Sequence, residues 1–472
     1  MVLGVPPRAL ADDLPDLGEA ARADFSPQME RKIGERIFNE IRLREPTYVD
    51  DADINDYLQR LGGRLLGASP NPTADCHFFA IRDPAINAFA MFGGFIGVNT
   101  GTLLTAQSES ELAGVLAHEI AHVLQNHLAR QISREKQNSM AMMIAMAVGV
   151  LAARANSQVA SATIASAQAG AIQSQLAYSR DFEREADRIG YQTLTAAGFS
   201  PRALGDFFGR LQQAGRVYEN NAPVYLRSHP LTVERISDMQ NRADQSPYRQ
   251  VADSLDFHLV RARIRVQGTS ARDAANEFAI QLRDKKYASE AAVRYGLAYA
   301  LLREKDVAAA QREMDALQAL KVSSPMISAL AAEIRLAAGD VTTAWSIFRD
   351  ALQRYPQAKA LLYGYAEALL AGKQFDQGLR FLDAQLKVYH SDYKLYGLQA
   401  RTFAMAGKRL QQHRAQAEFY LLQGQLTPAV EQLQFAQQAG DGTFYELSAV
   451  DARLRELRKL QAEEAKQKRN GG

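Results

Sequence analysis

Apolar residues recur at helical spacing in the first part of the chain. The stretch from residue 25 to about residue 75 carries two such series, Ile33, Ile37 and Ile41 followed by Leu58, Leu61 and Leu65. A period of three to four residues places these side chains on one face of a helix, so the pattern predicts a helical segment. A Ser-Pro-Asn-Pro sequence at residues 69–72 predicts a turn that ends it.

Between residues 76 and 105 the pattern changes to that of β-strands. Cys76–Ile81 has strand composition, and the later segment Asn87–Val98 is rich in aromatic residues. Gly93 and Gly94 lie at the centre of the aromatic segment. This pair predicts either a hairpin turn or a place where another backbone approaches closely.

Two further helices are predicted on either side of a segment of unusual composition. The first covers about Ser108–Arg134, and Ser108 with Glu111 three residues later has the form of a capping box. The second covers about Ser179–Ala197. Residues 138–178 between them are rich in Ala, Met, Ser and Gln with hardly any charge, a composition that permits helix without fixing its position.

From about residue 258 the sequence is almost wholly helical and repetitive. Helix-ending turns recur at Gly339, Gly372 and Gly407, which are 33 and 35 residues apart. A period near 34 with small residues at packing positions is typical of tetratricopeptide repeats, whose helix pairs stack into a superhelix. An irregular helical bundle is the alternative.

Composition and charge exclude several classes of protein. Lys plus Arg is 55 and Asp plus Glu is 53 in 472 residues, a formal net charge of +2 that is too balanced for a dedicated nucleic-acid binder. Cys76 is the only cysteine, so no intramolecular disulfide and no CxxC site can form. No run reaches the 18 apolar residues of a membrane span, and residues 140–153 suit a buried or interfacial helix better.

One motif in the helix after Ser108 carries the chemistry. His118-Glu119-Ile-Ala-His122 has the spacing HExxH. Residues four apart share a helix face, so both imidazoles can bind the same ion. Two imidazoles with a carboxylate and a water suit zinc, and Glu119 beside the first ligand can take a proton from that water. The alternative is two solvated histidines beside a chance glutamate.

The third protein ligand is expected in the helix that begins near Ser179. Leu128 stands where a metzincin would have its third histidine, which excludes that class. Glu183 and Asp187 share a helix face, so we predict that Glu183 binds the metal and Asp187 accepts a hydrogen bond from a ligand histidine. Glu185 is interpreted as a surface charge and His127 as a structural residue. Without the HExxH motif the cluster would indicate only a solvated helix face.

A third segment, Ser228-His229-Pro230, is followed by Arg235. A histidine fixed by proline in a loop could bind the fourth position of the metal or donate to a tetrahedral oxyanion. Arg235 could stabilise that oxyanion, since electrostatic stabilisation of this kind is a large catalytic effect. The alternative is an ordinary surface histidine and a helix arginine.

The three motifs HEIAH, SRDFEREAD and SHP with a downstream arginine resemble those of the HtpX-like and CAAX-prenyl-protease-like zinc metalloproteases. The resemblance implies one zinc ion per chain, with His118, His122 and Glu183 as ligands and Glu119 as the catalytic base. It also implies that His229 is a fourth ligand that closes the open zinc position in a resting state. The segment 138–178 would lie over the cleft.

The predicted fold class is therefore α+β and mostly helical. An HExxH zinc metalloprotease domain with a small β-sheet at 25–257 precedes an all-α tetratricopeptide repeat superhelix at 258–457 and a charged tail at 458–472. Residues 1–24 form an N-terminal segment. Its Ala-Leu-Ala sequence at 9–11 has the form of a signal-peptidase site and predicts the remnant of a secretory signal, with an ordinary flexible terminus as the alternative.

With its repeats, the chain resembles periplasmic members of this family, which implies a role in outer-membrane quality control. It would be a zinc-dependent endopeptidase and chaperone-like factor that assists assembly of β-barrel proteins such as the lipopolysaccharide transporter and degrades stalled ones. Expected partners are unfolded or stalled barrel proteins and, through the repeats, the barrel assembly machinery. Nucleic acid is not expected, and a peripheral membrane contact through residues 138–153 remains open.

The substrate is expected to add to the sheet by main-chain hydrogen bonds to an edge strand. The residues assigned to that strand are Phe89, Ala90, Met91, Phe92, Gly93 and Gly94. Two other functions compete with proteolysis by a periplasmic enzyme. One is a repeat-based chaperone or scaffold with a latent metal site, and the other is a membrane-embedded prenyl protease, which would need several long apolar spans.

Overall fold

The computed structural model describes residues 26–134, 180–217, 224–246 and 249–470. The predicted signal remnant in 1–24 and the charge-poor segment 138–178 lie outside these residues. Within the described ranges, no helix combines the length and apolar character that crossing a membrane requires.

Two helices, α1 (Pro27–Arg44) and α2 (Ala52–Gly67), account for the first helical segment. Each begins at a residue whose side chain accepts a main-chain N–H, Ser26 from Met29 and Asp51 from Ile54. Such caps satisfy main-chain donors that have no partner inside the helix. The spacing identified in the sequence defines the packed face. Its buried members are Ile37, Ile41, Leu58, Leu61 and Leu65.

A three-stranded sheet follows, in the spatial order β1 (His77–Ile81), β3 (Phe95–Asn99), β2 (Ala88–Ala90). β1 runs parallel to β3, and β2 runs antiparallel to it with Ala88 opposite Val98 and Ala90 opposite Ile96. β2 therefore lies at an edge of the sheet. The small sheet predicted from the sequence is confirmed.

The predicted edge strand is shorter in the structure than residues 89–94. Pairing ends at Ala90, Met91 N–H donates to the Phe95 carbonyl, and Phe92–Gly94 forms a 3-10 turn. Gly93 and Gly94 have φ of 67° and 80°, in the left-handed region that favours glycine. A Cβ on Gly94 would lie 2.1 Å from the Asp75 carbonyl oxygen. The glycine pair thus provides both the turn and the close backbone approach.

The helix expected over 108–134 is two helices in the structure. After α3 (Thr100–Thr105), α4 (Glu109–Leu124) ends and α5 (His127–Arg134) begins beyond Asn126, whose φ is 50°. A left-handed residue stops the regular helix, and asparagine adopts this conformation more readily than most residues. The chain therefore changes direction directly after the HExxH motif.

Within the described residues of the first region, four more helices follow: α6 (Arg180–Ala196), α7 (Ala203–Val217), α8 (Val224–Ser228) and α9 (Val233–Asp244). α4 and α6 pack closely along their length. Gly190 of α6 lies against the main chain of His118, where an added Cβ would be 3.1 Å from the His118 Cα. This close approach brings the acidic residues of α6 next to the histidines of α4.

The remainder of the described chain is a series of helices, each packed on the next. They are α10 (Leu255–Gly268), α11 (Ala271–Asp284), α12 (Glu290–Arg303), α13 (Val307–Ala319), α14 (Pro325–Ala337), α15 (Val341–Arg354), α16 (Lys359–Ala371), α17 (Phe375–Val388), α18 (Tyr393–Met405), α19 (Arg409–Leu422), α20 (Leu426–Gln438) and α21 (Phe444–Asn470). Left-handed glycines end helices at 339 and 407, whereas Lys373 rather than Gly372 adopts this conformation at the middle turn. The expected tail from 458 is helical to Asn470.

The repeats contact the first two helices directly. The Arg42 guanidinium donates to the Leu422 carbonyl at 2.7 Å and lies 4.3 Å from the centre of the Tyr393 ring. Asp56 of α2 accepts the Lys359 N–H at 2.7 Å, at the start of α16. At the other end of α1, Arg31 donates to the Gly93 carbonyl at 2.9 Å.

Candidate metal centre

Four side chains from three parts of the chain converge on one point. His118 and His122 come from one face of α4, Glu183 from α6 and His229 from the residue after α8. One nitrogen or oxygen of each lies within 4.8 Å of the corresponding atoms of the others, and all four residues are buried. The structure thus brings together the four residues that the sequence proposed as ligands.

Several separations between nitrogen and oxygen atoms of these residues are close to the edge of a ligand tetrahedron. Ligands at about 2.0 to 2.1 Å from a tetrahedral zinc ion lie about 3.3 Å from one another. His118 Nε2 lies 3.0 Å from His122 Nε2 and 3.3 Å from His229 Nδ1. Glu183 oxygens lie 3.5 and 3.6 Å from the Nε2 atoms of His118 and His122 and 3.0 Å from His229 Nδ1. The donor set therefore fits a cation such as zinc.

Glu119 lies beside this cluster and is completely buried. Neither of its carboxylate oxygens has a hydrogen bond of good geometry within the described residues. Its Oε1 is 3.6 Å from His229 Nε2. Burial raises the pKa of this carboxyl, and the positive charge of His229 and His118 and the Ala90 N–H only partly offset the rise. A buried carboxyl with unused acceptors is suited to receiving a proton from a reacting water.

Asp187 contacts the Nδ1 atom of His118, and Arg235 in turn binds Asp187. His118 Nδ1 lies 3.0 Å from Asp187 Oδ1, and Arg235 binds Asp187 through two nitrogens at 2.6 and 2.8 Å. Burial opposes a charge on His118, but the hydrogen bonds to Asp187 and Glu183 outweigh it and raise its pKa to about 9. Negative charge around this ring is what a bound cation would neutralise.

The surroundings of Arg235 differ from those of the expected oxyanion donor. Besides its two bonds to Asp187, its Nη1 lies 2.8 Å from Glu183 Oε2 and donates to the Pro230 carbonyl at 2.8 Å. The side chain is 2% exposed. The guanidinium is therefore engaged with the carboxylates behind the cluster, which favours a role in positioning Asp187 and Glu183 over contact with a reacting carbonyl.

His127 and Glu185 also belong to the surroundings of the centre. His127 Nδ1 lies 2.9 Å from His122 Nδ1, and its Nε2 lies 3.1 Å from Glu185 Oε2. Arg130 donates to the same Glu185 oxygen at 3.0 Å. Burial lowers the pKa of His127 to about 4, although Glu185 opposes the shift. The interpretation of Glu185 as a surface charge was wrong, because its side chain is 26% exposed and bonded to both neighbours.

A cavity of about 380 Å³ opens beside the centre. It lies between the edge of the sheet and the α4–α5 turn, and its lining includes Ala90, Met91, His122 and Asn126. The expected substrate edge and the expected metal ligands are thus adjacent in space.

Comparison with known proteins agrees with this architecture. A family model described as peptidase family M48 matches residues 52–243, and one described as tetratricopeptide repeat matches residues 335–402. The beta-barrel assembly-enhancing proteases of Yersinia pestis and Escherichia coli (strain K12) are each 30% identical to the chain, over 450 and 457 residues. These matches cover 95% and 96% of this chain and 92% of each relative.

A Vibrio cholerae protein named as a candidate protease of the same kind is 40% identical over 292 residues. That match covers 61% of this chain and 60% of the Vibrio protein. The predicted fold class and the predicted repeats are confirmed. The chain belongs to the beta-barrel assembly-enhancing protease family, and it is a metalloendopeptidase with a peptidase family M48 region followed by tetratricopeptide repeats.

Proposed function

We propose that the chain is a zinc-dependent endopeptidase of the Gram-negative periplasm that acts on proteins of outer-membrane barrel assembly. The observation that carries the proteolytic part is the buried cluster of His118, His122, Glu183 and His229 beside the buried carboxyl of Glu119. The names of the relatives support the barrel-assembly part. Zinc suits a site of imidazole and carboxylate ligands.

In this proposal His118, His122 and Glu183 bind one zinc ion, which when bound polarises the scissile carbonyl and activates water. Glu119 takes the proton of the attacking water and passes it to the leaving amine, since its carboxylate is buried beside the cluster. Asp187 holds the ring of His118, and Arg235 holds Asp187 and Glu183. The buried surroundings exclude other water and strengthen these interactions.

His229 has two open roles, inhibition and catalysis. Its Nδ1 is among the four converging atoms, so it is placed to fill the fourth ligand position of a resting enzyme. Its Nε2 faces Glu119 at 3.6 Å, and a histidine released from the metal there could donate to an oxyanion. We favour the resting-state role, and a zinc-bound structure with His229 far from the metal would reject it.

The substrate is proposed to bind as an added strand along β2. The strand is at the sheet edge, and its Ala90 also lines the cavity beside His122. Main-chain hydrogen bonds to an edge strand bind peptides with little dependence on sequence. Such binding suits an enzyme whose clients are unfolded chains of many sequences.

Replacement of Glu119 by Gln tests the proposal. We expect purified wild-type protein to contain one zinc per chain and to digest casein slowly, and Glu119→Gln to keep the zinc and lose digestion by at least about 100-fold. Metal content is measured by mass spectrometry after metal-replete purification. Glu290→Gln, on α12 of the repeats, is the matched control and should behave as wild type. Persistent digestion by a clean Glu119→Gln preparation would reject the assignment.

We further propose that the repeats dock on the barrel assembly machinery and that unfolded or stalled barrel proteins are the clients. Tetratricopeptide superhelices offer extended concave surfaces for protein partners. The test is complementation of a deletion strain by wild-type and Glu119→Gln chains. Rescue of barrel assembly by Glu119→Gln would assign the assembly role to the repeats, and loss of rescue would assign it to proteolysis.

A further inference from the structure

We infer that His127 is a positioning residue for the metal centre. It fixes the ring of the ligand His122 in the orientation and tautomer that leave Nε2 available to a cation, and Glu185 and Arg130 in turn fix His127. The inference rests on the proposed function, because it assigns a purpose to His127 only if His122 binds a metal.

The geometry forms a continuous series of contacts behind His122. His122 Nδ1 lies 2.9 Å from His127 Nδ1, His127 Nε2 lies 3.1 Å from Glu185 Oε2, and Arg130 donates to that same oxygen at 3.0 Å. Both imidazoles are 0–2% exposed. The Phe182 ring stacks on His127 at 4.5 Å between ring centres, and this contact restricts rotation of the ring.

The order of donors and acceptors defines one tautomer for each neutral ring. Glu185 is a carboxylate that only accepts, so His127 Nε2 carries the hydrogen and His127 Nδ1 is an acceptor. His122 Nδ1 must then carry a hydrogen and donate it to His127. The remaining nitrogen, His122 Nε2, keeps its lone pair and faces His118 and Glu183. This is the tautomer that a metal ligand requires.

The backbone at Asn126 makes the contact possible. In a continuous helix a residue five positions on is rotated by about 140°, so position 127 would lie far from the face of His122. The left-handed conformation of Asn126 ends α4 and turns the chain, and His127 then begins α5 beneath His122. The helix break and the His122–His127 contact are thus parts of one arrangement.

The other α4 ligand has an equivalent support. His118 contacts Asp187, which is held by Arg235, while His122 contacts His127, which is held by Glu185 and Arg130. Each series ends in an arginine bound to a carboxylate. The second series contains one additional ring, which spans the distance from His122 to the partly exposed Glu185.

Metal affinity distinguishes a positioning role of His127 from a merely structural one, because a merely structural role would leave the affinity unchanged. Zinc affinity of the full chain is measured by competition with a chromophoric chelator, and the visible spectrum of the Co²⁺-loaded chain reports ligand geometry. We expect His127→Ala to weaken zinc binding by about 10- to 100-fold and to change the Co²⁺ spectrum. His127→Gln should recover part of both, because its amide oxygen can accept from His122 Nδ1–H.

The control is His413→Ala, which removes a half-buried repeat histidine bonded to Gln432 and should leave both readouts unchanged. Glu185→Ala is the second variant, since its partly exposed position makes folding less dependent on it, and we expect a weaker loss of affinity. Unchanged affinity and an unchanged Co²⁺ spectrum in His127→Ala and Glu185→Ala would overturn the inference while leaving the proposed function intact. A wild-type chain that binds no zinc would overturn both.

Discussion

At the scale of single residues, one arginine binds two buried carboxylates of the centre. Arg235 lies 2.6 Å from Asp187 and 2.8 Å from Glu183, and both carboxylates are almost fully buried. Removing one partner of a buried ion pair leaves an uncompensated charge, which typically costs about 3 to 5 kcal/mol. A bound cation would compensate Glu183 independently of the arginine.

We therefore expect Arg235→Ala to destabilise the metal-free chain more than the zinc-loaded chain. A loss of about 3 kcal/mol corresponds to a melting temperature lower by about 6 to 12 °C for a domain of this size. Thermal unfolding with and without zinc provides the measurement. Arg242→Ala, which removes an exposed pair with Asp238 on the same helix, should change little in either state. Equal losses with and without zinc would contradict the explanation.

Spacing predicted that His118, His122, Glu183 and Asp187 lie together, but the contacts of His127 and Arg235 could not be predicted. HExxH and the i, i+4 relation of Glu183 to Asp187 follow from helix geometry alone. The contact of His127 with His122 depends on the left-handed Asn126, and the sequence gives only a weak indication of that conformation. Arg235 was identified, but its partners depend on how α9 packs on α6, which no local pattern encodes.

At the scale of elements, the turn between β2 and β3 sets the position of the proposed substrate edge. Gly94 has φ of 80° and passes the Asp75 carbonyl so closely that an added Cβ has no room. We expect Gly94→Ala to cost at least about 2 kcal/mol from backbone strain and overlap, and to lower casein digestion by displacing β2.

Gly63→Ala is the matched control for Gly94→Ala. Gly63 is exposed within α2, and nothing lies within 4 Å of the position of an added Cβ. Alanine there should stabilise the chain by up to about 1 kcal/mol because it favours helix. The two variants are compared by thermal unfolding and casein digestion. Similar stability of both would show that the turn is not constrained as described.

Sequence periodicity identified most elements and failed where single residues interrupt them. The sheet was expected, but its edge strand is only Ala88–Ala90 because the chain turns at Phe92. The helix over 108–134 was expected to be continuous, because the apolar pattern persists across Asn126. Hydrophobic patterns report the average conformation of a segment and do not show one residue of left-handed backbone.

At the scale of the whole molecule, a side chain of the first region caps a helix of the repeats. α16 begins after Ala358, which has no capping side chain, and Asp56 of α2 accepts its Lys359 N–H. Removing a cap typically costs about 1 kcal/mol. We expect Asp56→Ala to speed amide hydrogen exchange in the first turn of α16 and to expose the junction to proteolysis.

Asp340→Ala provides the comparison, because Asp340 caps α15 from within the repeats by accepting the Thr343 N–H. It should speed exchange at the start of α15 and leave the junction protected. If the first turn of α16 exchanges its amide hydrogens at the same rate in Asp56→Ala and in wild type, Asp56 does not cap this helix. Neither this contact nor that of Arg42 with Leu422 could be predicted, since the partners are about 300 and 380 residues apart in the sequence.

Helix α1 contacts the repeats near one end and the turn after β2 near the other. Arg42 donates to the Leu422 carbonyl of the repeats, and Arg31 donates to the Gly93 carbonyl beside the proposed substrate edge. These arginines are about 16 Å apart along a rigid helix, so a tilt of about 4° at one moves the other by about 1 Å. A protein that shifts the end of α19 on binding would therefore tilt α1 and move the edge of the cleft beside Gly93.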